Sequence, residues 1–101
     1  MLQDHRMNQL FYSPMDPKHI KKEKTKAREL RSTQWWKEKL AVGLCHYCQQ
    51  KFVKEDLTMD HILPIGRGGH STKGNIVASC KTCNSKKASL TPVEMLLKDL
   101  R

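Results

Sequence analysis

Cys45-His46-Tyr47-Cys48 and Cys80-Lys81-Thr82-Cys83 are two C-x2-C pairs, and between them runs Leu57-Thr58-Met59-Asp60-His61-Ile62-Leu63-Pro64. Thirty-one residues separate Cys48 from Cys80. Each pair forms a turn that presents two thiolates, and two such turns make the four corners of one tetrahedral ion. No signal-peptide pattern opens the sequence, which argues against a disulfide framework. A redox centre would usually need one such pair beside a βαβ pattern, which is missing. Cys45, Cys48, Cys80 and Cys83 are therefore expected to hold a structural Zn2+. With sulfur in all four positions the ion has no open coordination site, so it cannot be the catalytic one. His46, inside the first pair, is expected at the surface or behind the ligands.

Inside this clip, Leu57, Met59 and His61 alternate with Thr58, Asp60 and Ile62, the period of a strand, and Pro64 stops it. A loop with four glycines follows, from Ile65 to Gly74, and then a second short strand, Asn75-Ile76-Val77-Ala78-Ser79. Asn84 to Leu90 reads as a helix. Thr91-Pro92-Val93-Glu94 places a cap, a proline at the first helical position and an acid two residues on, and it opens a terminal helix through Leu100. Val93, Leu96, Leu97 and Leu100 would share its apolar face.

Outside the clip, the 101 residues are 38% hydrophobic, with only six aromatic side chains. A chain this short buries about 60–65% of the surface it exposes unfolded, so a large core is excluded and a staple is needed. Structural zinc binding, roughly 10–16 kcal/mol in peptides at neutral pH, exceeds the net stability of many small domains. The formal net charge is +9. Residues 18–39 carry nine basic groups against three acidic ones, net +6, so two thirds of the excess precedes the first cysteine. That segment has no Gly or Pro after Pro17, and Asp16 is a plausible cap. The expected organisation is an N-terminal arm over residues 1–17, a solvated basic helix over 18–40 that docks through Trp35 or Trp36, and a zinc-stapled domain over 41–101. Such a charge favours a polyanion, with nucleic acid first. No apolar run approaches membrane-spanning length.

The joint pattern of Cys45/Cys48, Asp60-His61, Pro64, Gly68-Gly69, Asn75, Cys80/Cys83-Asn84 and Lys87 resembles the HNH endonuclease family over about residues 45–90. The resemblance implies a small α+β fold: a ββα-metal finger, here stapled by the four-cysteine zinc site and flanked by the basic helix and a short C-terminal helix. It implies that His61 is the general base, that Asp60 supplies a hard oxygen to a divalent metal, and that Asn75 both holds an imidazole and pins the loop. Asn84 stands where the family often has histidine. A neutral carboxamide oxygen suits Mg2+ or Mn2+ better than imidazole-preferring ions. In a regular strand Asp60 and His61 face opposite sides, so both can serve one site only where the strand bends or ends. Lys87, three residues after Asn84 on one helix face, could reach a phosphate, as could Arg67 and His70 from the loop.

The expected function is metal-dependent hydrolysis of DNA, double-stranded by analogy, cut one strand at a time by a monomer or weak dimer. Lys21, Lys22, Lys24, Arg28 and Arg31 would track backbone phosphates with little sequence preference. A cytoplasmic, bacterial or phage-encoded setting is expected. The alternatives are a zinc-stapled nucleic-acid-binding module without catalysis and a protein-interaction zinc finger. A pure binder has no need of the Asp60-His61 pair on a basic surface.

Overall fold

The computed structural model describes residues 16–99, in the order α1 (Pro17–Arg31), α2 (Gln34–Val42), β1 (Leu57–His61), β2 (Ile76–Cys80), α3 (Lys81–Lys87) and α4 (Pro92–Asp99). The expected N-terminal arm lies outside the described residues as far as residue 15, as do Leu100 and Arg101.

β1 and β2 form a two-stranded antiparallel sheet with Leu57 opposite Cys80, Met59 opposite Ala78 and His61 opposite Ile76. Residues directly opposite share a face. Leu57, Ile76 and Ala78 are buried against Trp36 of α2, with Leu30, Trp35, Leu40, Phe52 and Met59 packed around them. Both tryptophans dock, Trp36 buried in the cluster and Trp35 packed at its edge. Trp35 is half-buried, with Lys39 and Lys73 ammonium groups 5.1 and 5.7 Å from its ring. α3 packs on both strands.

The single basic helix expected over 18–40 is two helices, broken at Ser32 and Thr33. No glycine or proline marks the break. Thr33 Oγ1 donates to Leu30 O (2.6 Å) at the end of α1 and accepts from Trp36 N (3.3 Å) at the start of α2. One hydroxyl thus satisfies a terminal carbonyl and a terminal N–H, a local alternative to helix that Ser and Thr offer. At its other end α1 begins as expected: Asp16 Oδ1 accepts from Lys18 N at 2.9 Å and Pro17 opens the helix.

α3 starts three residues earlier than expected, because Cys80 Sγ caps it by accepting from Cys83 N. Asn84 therefore sits inside the helix, not at its first turn. α4 has the expected capping box: Thr91 Oγ1 accepts from Glu94 N, and Glu94 Oε1 accepts from Thr91 N. Its Val93, Leu96 and Leu97 are exposed.

The loop between the strands is held close to itself. A Cβ on Gly69 would stand 1.7 Å from the Leu63 carbonyl oxygen, so no other residue fits there without moving the backbone. Gly68 ends the turn at Ile65–Arg67 with φ 98°, a conformation open to glycine.

Candidate active site

The four cysteines converge as their spacing requires, with all four sulfur atoms within 4.8 Å of one another. Cys80 N donates to Cys45 Sγ and Cys83 N to Cys80 Sγ, both at 3.4 Å. Burial opposes ionisation of Cys45, but N–H groups of Cys48, Cys80 and Tyr47 outweigh it and pull the thiol down to about 6. Burial and hydrogen bonds to the other three thiols push Cys83 up to about 12. The Cys45 thiolate forms readily while Cys48 and Cys83 resist, a conflict that a divalent cation among them removes. The donor set fits Zn2+, and His46 is exposed and outside it.

β1 ends at His61, and its alternation persists to that point. Asp60 turns away from the Trp36 face. Its Oδ2 accepts from the Tyr47 hydroxyl and lies 3.5 Å from Lys87 Nζ. Both contacts fall on one oxygen, which leaves Oδ1 available to a cation. Burial beside the Asp60 carboxylate holds the Tyr47 phenol above its ordinary range, so it stays a donor. Lys87, 1% exposed, also donates to His61 O at 2.8 Å. The expectation that Lys87 reaches a phosphate is thus corrected: its ammonium is buried, tying α3 to the end of β1. Asn84 lies three residues before Lys87 on α3, a spacing that puts the two on one face of the helix. A carboxylate such as that of Asp60 and a carboxamide such as that of Asn84 are hard oxygen donors of the kind Mg2+ and Mn2+ take.

His61 leaves β1 on the other face. Its Nε2 meets Ser71 Oγ at 2.9 Å, and Ser71 Oγ in turn donates to Glu23 O on α1 at 2.5 Å. A hydroxyl has one proton, and here it goes to Glu23. Ser71 must then accept from His61 Nε2–H, which leaves the lone pair of the neutral imidazole on Nδ1. Burial lowers the His61 pKa below its ordinary range; Asp60 and Glu23 oppose this, while Arg31 and Lys87 add to it. Glu23 is itself 1% exposed, and its Oε1 accepts from Ser71 N at 2.6 Å. That N–H holds the Glu23 carboxyl below its usual range against the effect of burial, with Lys26 and His70 helping. Ser71 and Glu23 were not singled out from the sequence. A polar residue inside a glycine-rich loop and an acid in a lysine-rich helix both read as solvated.

Asn75 pins the loop and does not touch the imidazole. Its Oδ1 accepts from Leu63 N (2.8 Å), and its Nδ2 donates to Leu63 O (3.0 Å) and His70 O (2.9 Å). Ser71 takes the imidazole-holding part that the resemblance offers to Asn75. Arg67 is engaged by Glu94 through two bonds, at 2.8 and 3.2 Å. This fork holds the Glu94 carboxyl down at about 2 and ties the loop to α4. His70 is exposed, with Nδ1 3.5 Å from Glu23 Oε2. Lys21, Lys22, Lys24, Arg28 and Arg31 are all exposed on α1, and none of them forms an ion pair among the described residues. No helix among those residues is long and apolar enough to cross a membrane.

Residues 45–90, from the first cysteine to Leu90, match the HNH endonuclease family model. A segment of 56 residues, 54% of this chain, is 38% identical to a CRISPR-associated endonuclease Cas9 of Corynebacterium diphtheriae. The aligned segment covers 5% of that protein.

Proposed function

We propose that this chain is a metal-dependent nuclease that hydrolyses DNA phosphodiester bonds at the open end of β1, with His61 as general base and Asp60 and Asn84 holding one divalent cation, Mg2+ or Mn2+. The observation that carries this reading is the neutral, oriented imidazole: burial keeps His61 unprotonated, and the Ser71 contact leaves Nδ1 free to take a proton. A surface that only bound nucleic acid would gain nothing from such a group.

The cation, when bound, stabilises charge on the phosphorane and the leaving oxygen. The remaining work belongs to the chain. Asp60 and His61 flank the strand end from its two faces, so a phosphodiester laid across that end has an acid on one side and a base on the other. His61 Nδ1 accepts the proton of the attacking water. Ser71 and Glu23 keep the ring in the tautomer that can do so. Lys87 and Tyr47 hold the Asp60 carboxylate by Oδ2. Arg31 lies near enough to His61 to bias its titration and offers positive charge beside the reacting phosphate. The exposed Lys21, Lys22, Lys24 and Arg28 on α1 extend that charge along the backbone. Contacts of this kind are insensitive to base sequence and steeply salt-dependent. One such centre cuts one strand, so a monomer nicks.

Plasmid relaxation with Mg2+ or Mn2+ tests the reading. Wild type should convert supercoiled plasmid to the open-circular form, and His61→Ala should lower the rate by at least about 100-fold, the upper range of general-base contributions being about 10,000-fold. If the two relax plasmid equally, or if neither does in any divalent metal, the chain is a zinc-stapled binding module.

A further inference from the structure

A second cluster of metal-ligating side chains lies outside both the four-cysteine clip and the Asp60–Asn84 pair. His19 and Glu23 stand one turn apart on the same face of α1, and His70 comes to them from the glycine-rich loop. A ligand atom from each of the three lies within 4.8 Å of the others. The Glu23 side chain is 1% exposed, and its two oxygens have different company. Oε1 is taken by Ser71 N–H, whereas Oε2 faces His70 Nδ1 at 3.5 Å and Lys26 Nζ at 3.6 Å. The His19 and His70 rings meet edge to face, with centroids 5.0 Å apart. His19 Nε2 lies 3.0 Å from Gly69 O. A carbonyl only accepts, so His19 carries its proton on Nε2, and one ring nitrogen of the neutral side chain keeps its lone pair. Metal-bound imidazoles characteristically hand their second N–H to a backbone carbonyl in this way.

We propose that His19, Glu23 and His70 form a second metal site, for a borderline transition ion such as Zn2+ or Ni2+, which ties α1 to the glycine-rich loop. Two imidazoles and one carboxylate suit these ions, not Mg2+, whose preference is for oxygen. Three protein ligands leave a fourth position for water. Among the described residues Lys26 is the ammonium against Glu23 Oε2; its side chain is 44% exposed and can swing into solvent as the ion enters. His70 is 62% exposed, so the site has an entry path. The ion would hold the same glutamate that anchors Ser71, and hence sit two hydrogen bonds from His61. Binding at this site does not depend on the nuclease reading, because none of its three ligands is the proposed base or a proposed ligand of the Asp60–Asn84 cation.

The test uses tag-free, full-length protein with its cysteine site already loaded with zinc, titrated with Ni2+ by calorimetry. Metal content per chain is then counted after desalting. Wild type should take up one Ni2+, with a rise in Tm. His70→Ala and His19→Ala should lose both the uptake and the rise while keeping the zinc. Asn84→Ala should keep the Ni2+. His70→Ala removes only an exposed side chain, so it remains informative if His19→Ala does not fold. No Ni2+ uptake by wild type, or uptake that persists in His70→Ala, overturns the proposal. Loss of Ni2+ in Asn84→Ala also overturns it, because the ion then belongs to Asp60 and Asn84.

Discussion

Ser71→Ala isolates the orientation of the base from its presence. The substitution removes one oxygen that makes two hydrogen bonds, to His61 Nε2 at 2.9 Å and to Glu23 O at 2.5 Å. At about 0.5–1.5 kcal/mol net for each bond, the stability loss should be about 1–3 kcal/mol. Glu23 O lies within α1 and keeps its helical partner, so no buried carbonyl is orphaned. The zinc clip is untouched and the protein should still fold. What changes is the imidazole. Without an acceptor at Nε2 it is free to rotate and to place its proton on Nδ1, the atom that must receive one. Loss of an outer hydrogen-bond partner of this sort typically costs about 10- to 100-fold in activity, or about 1.4–2.7 kcal/mol in the barrier. The assay is plasmid nicking at saturating Mg2+, with kcat and KM for DNA determined separately and the temperature kept well below the variant's Tm. The expected outcome is a kcat lowered by about 10- to 100-fold with KM little changed. A kcat within about twofold of wild type, in a protein whose His61→Ala variant is dead, would refute the orienting role of Ser71. An effect confined to KM would refute it as well.

Three other outcomes are expected. Cys80→Ser, or exhaustive chelation, should abolish zinc binding and the far-ultraviolet circular dichroism of the fold, since zinc contributes roughly 10–16 kcal/mol to such domains; a folded apo-protein would contradict the staple. Charge reversal at Lys21, Lys24 and Arg28 should weaken DNA binding and flatten its salt dependence by about 0.9 for every phosphate no longer neutralised, read from binding isotherms over a salt series; an unchanged slope would remove α1 from the interface. The acid limb of the pH–rate profile should lie below pH 6.5, the ordinary value for His61. The sign follows from the burial that lowers its folded pKa: the base stays neutral at pH values where an exposed histidine has begun to protonate, and activity falls only as pH drops through that lower value. A limb above pH 6.5 would point to a different titrating group.

Much of the fold is legible along the chain because its signals are local. Two C-x2-C turns, an alternating strand that ends before Pro64, a glycine-rich loop and a capping box each depend on neighbouring residues, and each is found where expected. The break between α1 and α2 was not legible. A threonine is a neutral residue in a lysine-rich run until its hydroxyl is seen bonded to both helix ends. Lys87 shows the same limit in reverse. From sequence it is one more surface cation, and only packing buries it at 1% exposure against Asp60 and His61.

The spacing of cysteines, the Asp60-His61 pair and the concentration of positive charge before residue 40 belong to the sequence alone, because covalent order and residue chemistry decide them. Which group holds the imidazole does not. Glu23 and Ser71 are 48 residues apart, and they meet because α1 packs on the loop that Asn75 and Gly69 fold back on itself. A contact across that distance is set by how the elements pack in three dimensions, and no local propensity encodes it.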